Sequence, residues 1–412
     1  MKKLLLILTI FALFLPLSAK TLDEQTFKPF EPLSVRSEAM GGSGIANPGR
    51  SDTFFLNPAG FCLYNGQLSL PYVGFRLYNI NSLAQNGFFS SLSKGDMTNA
   101  GVNFVTAIQS GYLDLAAIDL GFSFSISDFG LGVNSQVKLS TIGPGTVGST
   151  VIAETNLVGN IGYAHLFELN GGYSIALGVN VKFNYLAYTT PGVESGEKGG
   201  FSASRLVSVF SSPDPFIKSL LNGVPVAGGF SVPVDCGLIL SMPHDFSFGF
   251  AVRNINGGFA EMNTYNGFSS LLYEITNIKL KDSTITDKVN TFSITTPIQL
   301  DLGFAWAPPE KGFFKYIKPS LALDFVDAIG FFENELSWEQ VLLHIKMGIE
   351  LRVLRIIDLR AGLNQGYPSL GASLDLAAFR VDALYSVKEY GYEVGNNPLD
   401  ALTIRFNIGF DR

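Results

Sequence analysis

The stretch YSIALGVNVKFNYLAY, residues 173–188, decides the fold. Its odd positions are Tyr173, Ile175, Leu177, Val179, Val181, Phe183, Tyr185 and Ala187. Its even positions are Ser174, Ala176, Gly178, Asn180, Lys182, Asn184, Leu186 and Tyr188. Side chains alternate across a strand, so one face is almost wholly apolar and the other mainly small or polar. TPIQLDLGFAW repeats the pattern: Ile298, Leu300, Leu302, Phe304 and Trp306 oppose Gln299, Asp301, Gly303 and Ala305. HIKMGIELRVL and ALTIRFNIGF follow it too. The second face carries Gly, Ala and isolated charges rather than a fully solvated polar surface. That combination suits lipid outside and a polar lumen inside.

About fourteen such segments can be counted, an even number as bacterial barrels require. They begin near Gln67, Leu113, Phe129, Ile152, Tyr173, Val232, Phe246, Pro297, Lys318, His344, Ile357, Pro368, Phe379 and Asp400. The stretch after the first leaves room for a further short strand. Connections alternate between short and long, and the longest are 191–231 and 256–296. Short turns belong to the periplasmic end and long loops to the outside. The segment APPEKGFFKYIK, between the eighth and ninth strands, is longer than its position calls for. Three stretches read as loop helices: SPDPFIKSLLNG, with Phe216 and Leu220 on an apolar stripe, SWEQVLLH with a capping spacing, and GFSSLLYEI.

Composition agrees. The chain has 412 residues, with 44 Gly and 35 Phe, yet only 15% charged residues. Past the leader, no apolar run reaches the length of a spanning helix. Residues 1–19 read as a signal peptide: Lys2 and Lys3, an apolar stretch over residues 4–15, then small residues before a cut after Ala19. Net charge is −7, and no basic block argues for nucleic acid. Cys62 and Cys236 fit no metal spacing and read as free thiols. GPGTVG, residues 143–148, matches GxGxxG but precedes a strand pattern, so it is a loop. His165, His244 and His344 are not gathered with a nucleophile and a carboxylate, which argues against an enzyme. No cofactor or metal is expected. The charges Asp301, Asp324, Glu350, Arg352, Asp358, Arg360, Asp375, Arg380, Asp382 and Arg405 are mixed in sign. They read as an internal ion-pair network bracing the barrel wall and plug, because an unpaired charge there is costly.

SVRSEAMGGSGIANPGRSDTFFLNPAGF, residues 34–61, resembles the hatch of the long-chain fatty-acid transporter (FadL-like) outer-membrane family, closest to its spirochaetal branch. The matching positions are Gly41, Gly42, Gly44, Ala46, Asp52, Asn57, Pro58 and Ala59. The resemblance implies an all-β, antiparallel transmembrane barrel of fourteen strands. Residues 20–65 would plug the lumen and 66–412 would form the wall. It also implies an outer-membrane location, insertion by the barrel-assembly machinery with Phe410 in the terminal signal, and passive transport of fatty acids or other hydrophobic small molecules. Phe54, Phe55 and Leu56 would pack on the inner wall or line the ligand pocket, and Phe216 and Leu220 would meet ligand at the mouth. Two alternatives stand: a porin for polar solutes, and a structural or adhesin-type barrel.

Overall fold

In a computed structural model, the chain forms a closed antiparallel barrel of 14 strands. The structure describes residues 25–26, 34–49, 51–63, 67–189, 201–203, 206–207, 210, 224–256, 258–280, 283–309, 311–333, 337–353, 356–376, 379–391 and 393–410. The expected signal peptide, Phe216 and Leu220 lie outside them.

The wall strands are β1 (Gln67–Tyr78), β2 (Gly111–Ile126), β3 (Phe129–Gly143), β4 (Thr150–Glu168) and β5 (Ser174–Thr189). Then come β6 (Val226–Ser231 and Val234–Met242), β7 (Phe246–Arg253 and Gly258–Tyr265) and β8 (Asn290–Thr295 and Gln299–Trp306). The remainder are β9 (Ile317–Phe325), β10 (Ile345–Val353), β11 (Ile357–Asn364), β12 (Tyr367–Asp375), β13 (Phe379–Glu389) and β14 (Pro398–Phe410). Each pairs antiparallel with the next, and β14 pairs with β1, which leaves the wall no edge.

The alternation read from the sequence sets the two faces. Along β2, Ile118, Leu120, Phe122 and Phe124 are exposed, while Ala117, Asp119, Ser123 and Ser125 are buried. Across the opening stretch, Tyr173, Val179 and Phe183 point out, and Ala176, Asn180 and Lys182 point in. An apolar outer surface of this extent is stable only against lipid, so the barrel is transmembrane. Among the described residues, no helix is long and apolar enough to cross a membrane.

Two expectations are corrected. The stretch after β1 holds no strand but three helices, α1 (Ile80–Gln85), α2 (Phe88–Ser93) and α3 (Met97–Thr106). Left-handed Asn79 and Gly87 separate them from what precedes, and Asp96 caps α3 by accepting from the Asn99 amide. Nor are 191–231 and 256–296 loops throughout. Both contain paired wall strands, because β6, β7 and β8 are each interrupted and then resume. Pro233 and Pro297 lack the N–H a ladder needs, and Asn254 turns left-handed, so each interruption reads in sequence as a strand end. Helices α4 (Phe268–Thr276) and α5 (Trp338–His344) lie where GFSSLLYEI and SWEQVLLH placed them, with Ser337 capping α5 through the Gln340 amide.

Candidate functional site: a plugged lumen under an apolar roof

Residues 34–63 lie inside the barrel. A short helix, Val35–Ala39, opens this plug; the Ser34 hydroxyl accepts from the Ser37 amide and donates to Asp52. Gly41 and Gly42 then turn the chain at φ +69° and +82°, a conformation that favours glycine. Two short 3-10 turns follow, Ser51–Phe54 and Pro58–Leu63.

The plug meets the wall on a ring of small residues. Glycines face one another across neighbouring strands at Gly130 and Gly162, Gly178 and Gly237, Gly249 and Gly303, and Gly348 and Gly362. Added side chains there would strike the plug. A Cβ on Gly249 would sit 2.5 Å from the Ile45 carbonyl oxygen, and one on Gly371 would sit 2.5 Å from the Ala39 Cβ. At Gly162 and Gly130 the obstacle is the Phe61 ring, at Gly178 the Pro58 carbonyl, and at Gly348 Met40. These hollows lie on strands from β3 round to β12.

Several matching positions of the hatch motif help to seat the plug. Asn57 is fully buried, and its amide donates to the carbonyls of Ile45 (2.9 Å), Leu238 (3.2 Å) and Phe250 (3.4 Å). Its Oδ1 accepts from the Ala59 amide at 3.0 Å, which starts the turn that Pro58 fixes. Asp52 is buried and bonded to Ser34. Phe54 meets Phe61 edge-on at 4.7 Å and packs with Ala164. Its carbonyl accepts from Asn180 at 3.0 Å. Phe55 and Leu56 are half-buried, Phe55 beside the Phe54–Phe61 pair and Leu56 beside Gly44. Cys62 and Cys236 are free thiols, and burial pushes Cys62 up to about 11, far from a neutral-pH nucleophile.

Charge binds the other half. Arg36 bonds Glu350 on β10 at 2.9 Å, and Arg360 on β11 bonds the same carboxylate at 2.8 Å. Arg352, Arg360 and Arg380 converge on Asp358, while Arg380 also bonds Asp382 at 2.9 Å. Glu38 pairs with Arg76 on β1. Asp324 on β9 accepts from the backbone amides of Gly44 (2.6 Å) and Ile45 (2.9 Å). Glu350, Arg352, Asp358, Arg360, Asp375, Arg380 and Asp382 are therefore one ion-paired network that Arg36 extends into the plug, while Arg405 instead lies over the Tyr72 ring.

Above the plug, at the long-loop end, lies an apolar roof. Leu83, Phe88, Phe104, Ile108, Leu113 and Leu206 are buried together. Phe104 lies 5.6 Å from Phe88 and 5.5 Å from Phe210. The same loop helices turn Phe89, Leu92, Met97 and Val102 outward to solvent. Beneath the roof the wall is polar. Lys138 lies 3.5 Å from Glu154 and 3.9 Å from Asp114, and the Tyr112 and Ser140 hydroxyls bond Asp114. Lys182 pairs with Asp235, and Arg253 with Asp301. One apolar patch interrupts this wall: Leu186, Ala227, Met262 and Ile294, flanked by Tyr188 and Phe292.

The roof and the glycine ring were not singled out in the sequence. The ring had a signal, small residues recurring on the inner face of successive strands. The roof had helical spacing between 80 and 106.

No family model matches the chain, and no curated protein does. Solved structures are similar to it. One is the Pseudomonas putida toluene transporter TodX, at 11% identity over 93% of this chain and 98% of that one, with a TM-score of 0.45. A Pseudomonas aeruginosa FadL homologue shares 11% identity over 93% and 99% of the two chains, with a TM-score of 0.40. The translocator domain of the Neisseria meningitidis autotransporter NalP shares 8% over 84% and 89%, with a TM-score of 0.31. Likenesses of this size assign no cargo to this chain.

Proposed function

We propose that this protein is a passive outer-membrane transporter for hydrophobic small molecules, with long-chain fatty acids among the expected cargoes. The observation that carries the reading is the apolar roof set over a plugged lumen. A roof that shows Phe89, Leu92, Met97 and Val102 to solvent offers a greasy molecule a landing surface on the loop helices. The plug, seated on the glycine ring, excludes free diffusion of solute. Cargo would leave the roof, rest on the patch around Leu186 and Met262, and pass when the plug shifts. The chain has no nucleotide-binding motif, so passage would run down a gradient. Export by residues 1–19, insertion by the barrel-assembly machinery and short turns facing the periplasm complete the reading. Residues 20–65 would act as one plug, with Phe54, Phe55 and Leu56 beside the cargo path and Phe216 and Leu220 at the mouth.

The test is mass spectrometry of lipids that copurify with the protein, alongside fatty-acid uptake in cells lacking their own transporter. Bound lipid with restored uptake supports the reading; a lipid-free protein without uptake overturns it. The polar wall beneath the roof favours a second reading, a channel for polar solutes that the plug constricts. Steady conductance of the intact protein in planar bilayers would favour that one.

A further inference from the structure

The connection 307–316 is out of proportion to its end of the barrel. There β2 joins β3 through 127–128, and β6 joins β7 through 243–245. This one leaves β8 through Pro308 and Pro309 and turns back in a 3-10 turn, Gly312–Lys315. Gly312 sits at φ +58°, a left-handed position that other residues strain to adopt. The turn lifts two aromatic rings clear of the protein: Phe313 is 71% exposed and Tyr316 63%.

Phe314, between them, faces the other way and meets Trp306 edge-on at 6.0 Å. Trp306 stands on the outer face of β8 in line with Phe304. That ring stacks on Phe246 at 5.6 Å and lies 5.2 Å from Phe248. One aromatic strip therefore runs down the lipid-facing wall, passes the last paired residues and ends in the knob. Lys311 and Lys315 are exposed beside it. Tyrosine, with an apolar ring and a polar tip, and lysine settle at a bilayer's headgroup layer, and phenylalanine adds apolar area that buries at the acyl boundary.

We propose that this knob docks on the phospholipid leaflet at the short-turn end. Phe313 and Tyr316 enter the headgroup layer, and Lys311 and Lys315 pair with anionic headgroups. Continuity with the lipid-facing strip selects lipid over a soluble partner, and the lysines select anionic lipid. The proposal rests on the barrel spanning a membrane and not on what the barrel carries.

Trp306 gives the readout. The chain has two tryptophans, so in a Trp338→Phe background the emission comes from Trp306 alone. The full-length protein is placed in nanodiscs whose lipids carry a quencher near the headgroup, on either phosphatidylglycerol or phosphatidylcholine. The expected result is stronger quenching by labelled phosphatidylglycerol, reflecting a local enrichment on the order of tenfold at low salt. The double variant Lys311→Glu, Lys315→Glu should lose that preference and keep the phosphatidylcholine signal. The variant Phe313→Ser, Tyr316→Ser should weaken quenching by both. Folding of each variant is checked by sheet circular dichroism and heat-shifted gel migration. Equal quenching by the two lipids, or a preference that survives charge reversal, overturns the proposal. So does absence of quenching in both lipids, which would point to a protein partner.

Discussion

Both halves of the plug sit on wall glycines, but only the first adds charged side chains to the contact. Residues 34–47 add charge and hydrogen bonds to their glycine seats: Arg36 to Glu350, Glu38 to Arg76, Gly41 to Ser369, Gly44 and Ile45 to Asp324, and Asn47 to Ser320. Residues 54–63 carry no charged side chain and hold by shape, with Phe61 between Gly130 and Gly162 and Pro58 over Gly178, and by hydrogen bonds of Asn57 and the Phe54 carbonyl to the wall. Polar partners can be exchanged for water or ligand and made again. A ring seated on glycines must be lifted out, and interiors tolerate such displacement poorly. The difference predicts an order of release: the first half lets go while the second, which runs on into β1, serves as the hinge.

The hardest test removes the hinge. Deleting residues 54–60 should leave a folded barrel and raise its conductance in planar bilayers from closed to porin-like. If the deletion variant stays sealed, residues 34–63 are not the plug. A smaller break fills a seat instead of emptying it. In Gly162→Leu the new side chain occupies the place of the Phe61 ring. Overpacking of that kind costs about 1–3 kcal/mol and more where nothing yields. Frequent channel openings are expected, with the same sheet content. The control is Gly159→Leu on the outer face of β4, where an added Cβ would meet only Phe183 at 3.8 Å. That control should remain closed, and if it conducts as Gly162→Leu does, the seat is not the cause.

Breaking the polar half should do less and do it locally. Arg36→Ala leaves Glu350 with Arg360 as its remaining bonded partner. Because Arg360 still neutralises Glu350, the cost should fall well below the roughly 3–5 kcal/mol of leaving a buried charge unpaired. The loss should appear as faster hydrogen exchange over residues 35–39, with no change at Phe61 and little added conductance. Equal acceleration in both halves would mean that the plug moves as one body, and the order of release would fail.

The wall was legible in the sequence because period-2 alternation is a local signal. Each of the fourteen segment starts falls at or near a strand. What escaped was whatever local pattern cannot carry. Pro233 and Pro297 interrupt strands that continue beyond them, and only the neighbouring ladder reveals the continuation. The expected charge network could be read from the mixed signs of Glu350, Arg352, Asp358 and Arg360. Its link to Arg36 could not, since three hundred residues separate the partners. The glycines were visible on the inner face, yet their pairing into seats depends on register between strands. Phe61 was read as the end of an apolar kink, and only the register of Gly130 against Gly162 makes it an anchor.

The smallest expected effect comes from Asp324→Asn, and its size is set by two opposing terms. Asp324 is 1% exposed, and one oxygen accepts from both Gly44 and Ile45 while Oδ1 has no hydrogen-bond partner. Removing the charge weakens two charge-assisted bonds, by roughly 1 kcal/mol together. It also removes the cost of holding a carboxylate away from water, which acts in the opposite direction. The new amide nitrogen inherits the place of Oδ1 beside Gly303, where a donor finds no better partner than the oxygen did. The net change should stay below about 1 kcal/mol. Hydrogen exchange at the Gly44 and Ile45 amides should quicken less than about fivefold, and conductance should not change. A channel that opens with this substitution alone would place the seal on the polar half and reverse the roles of the two halves.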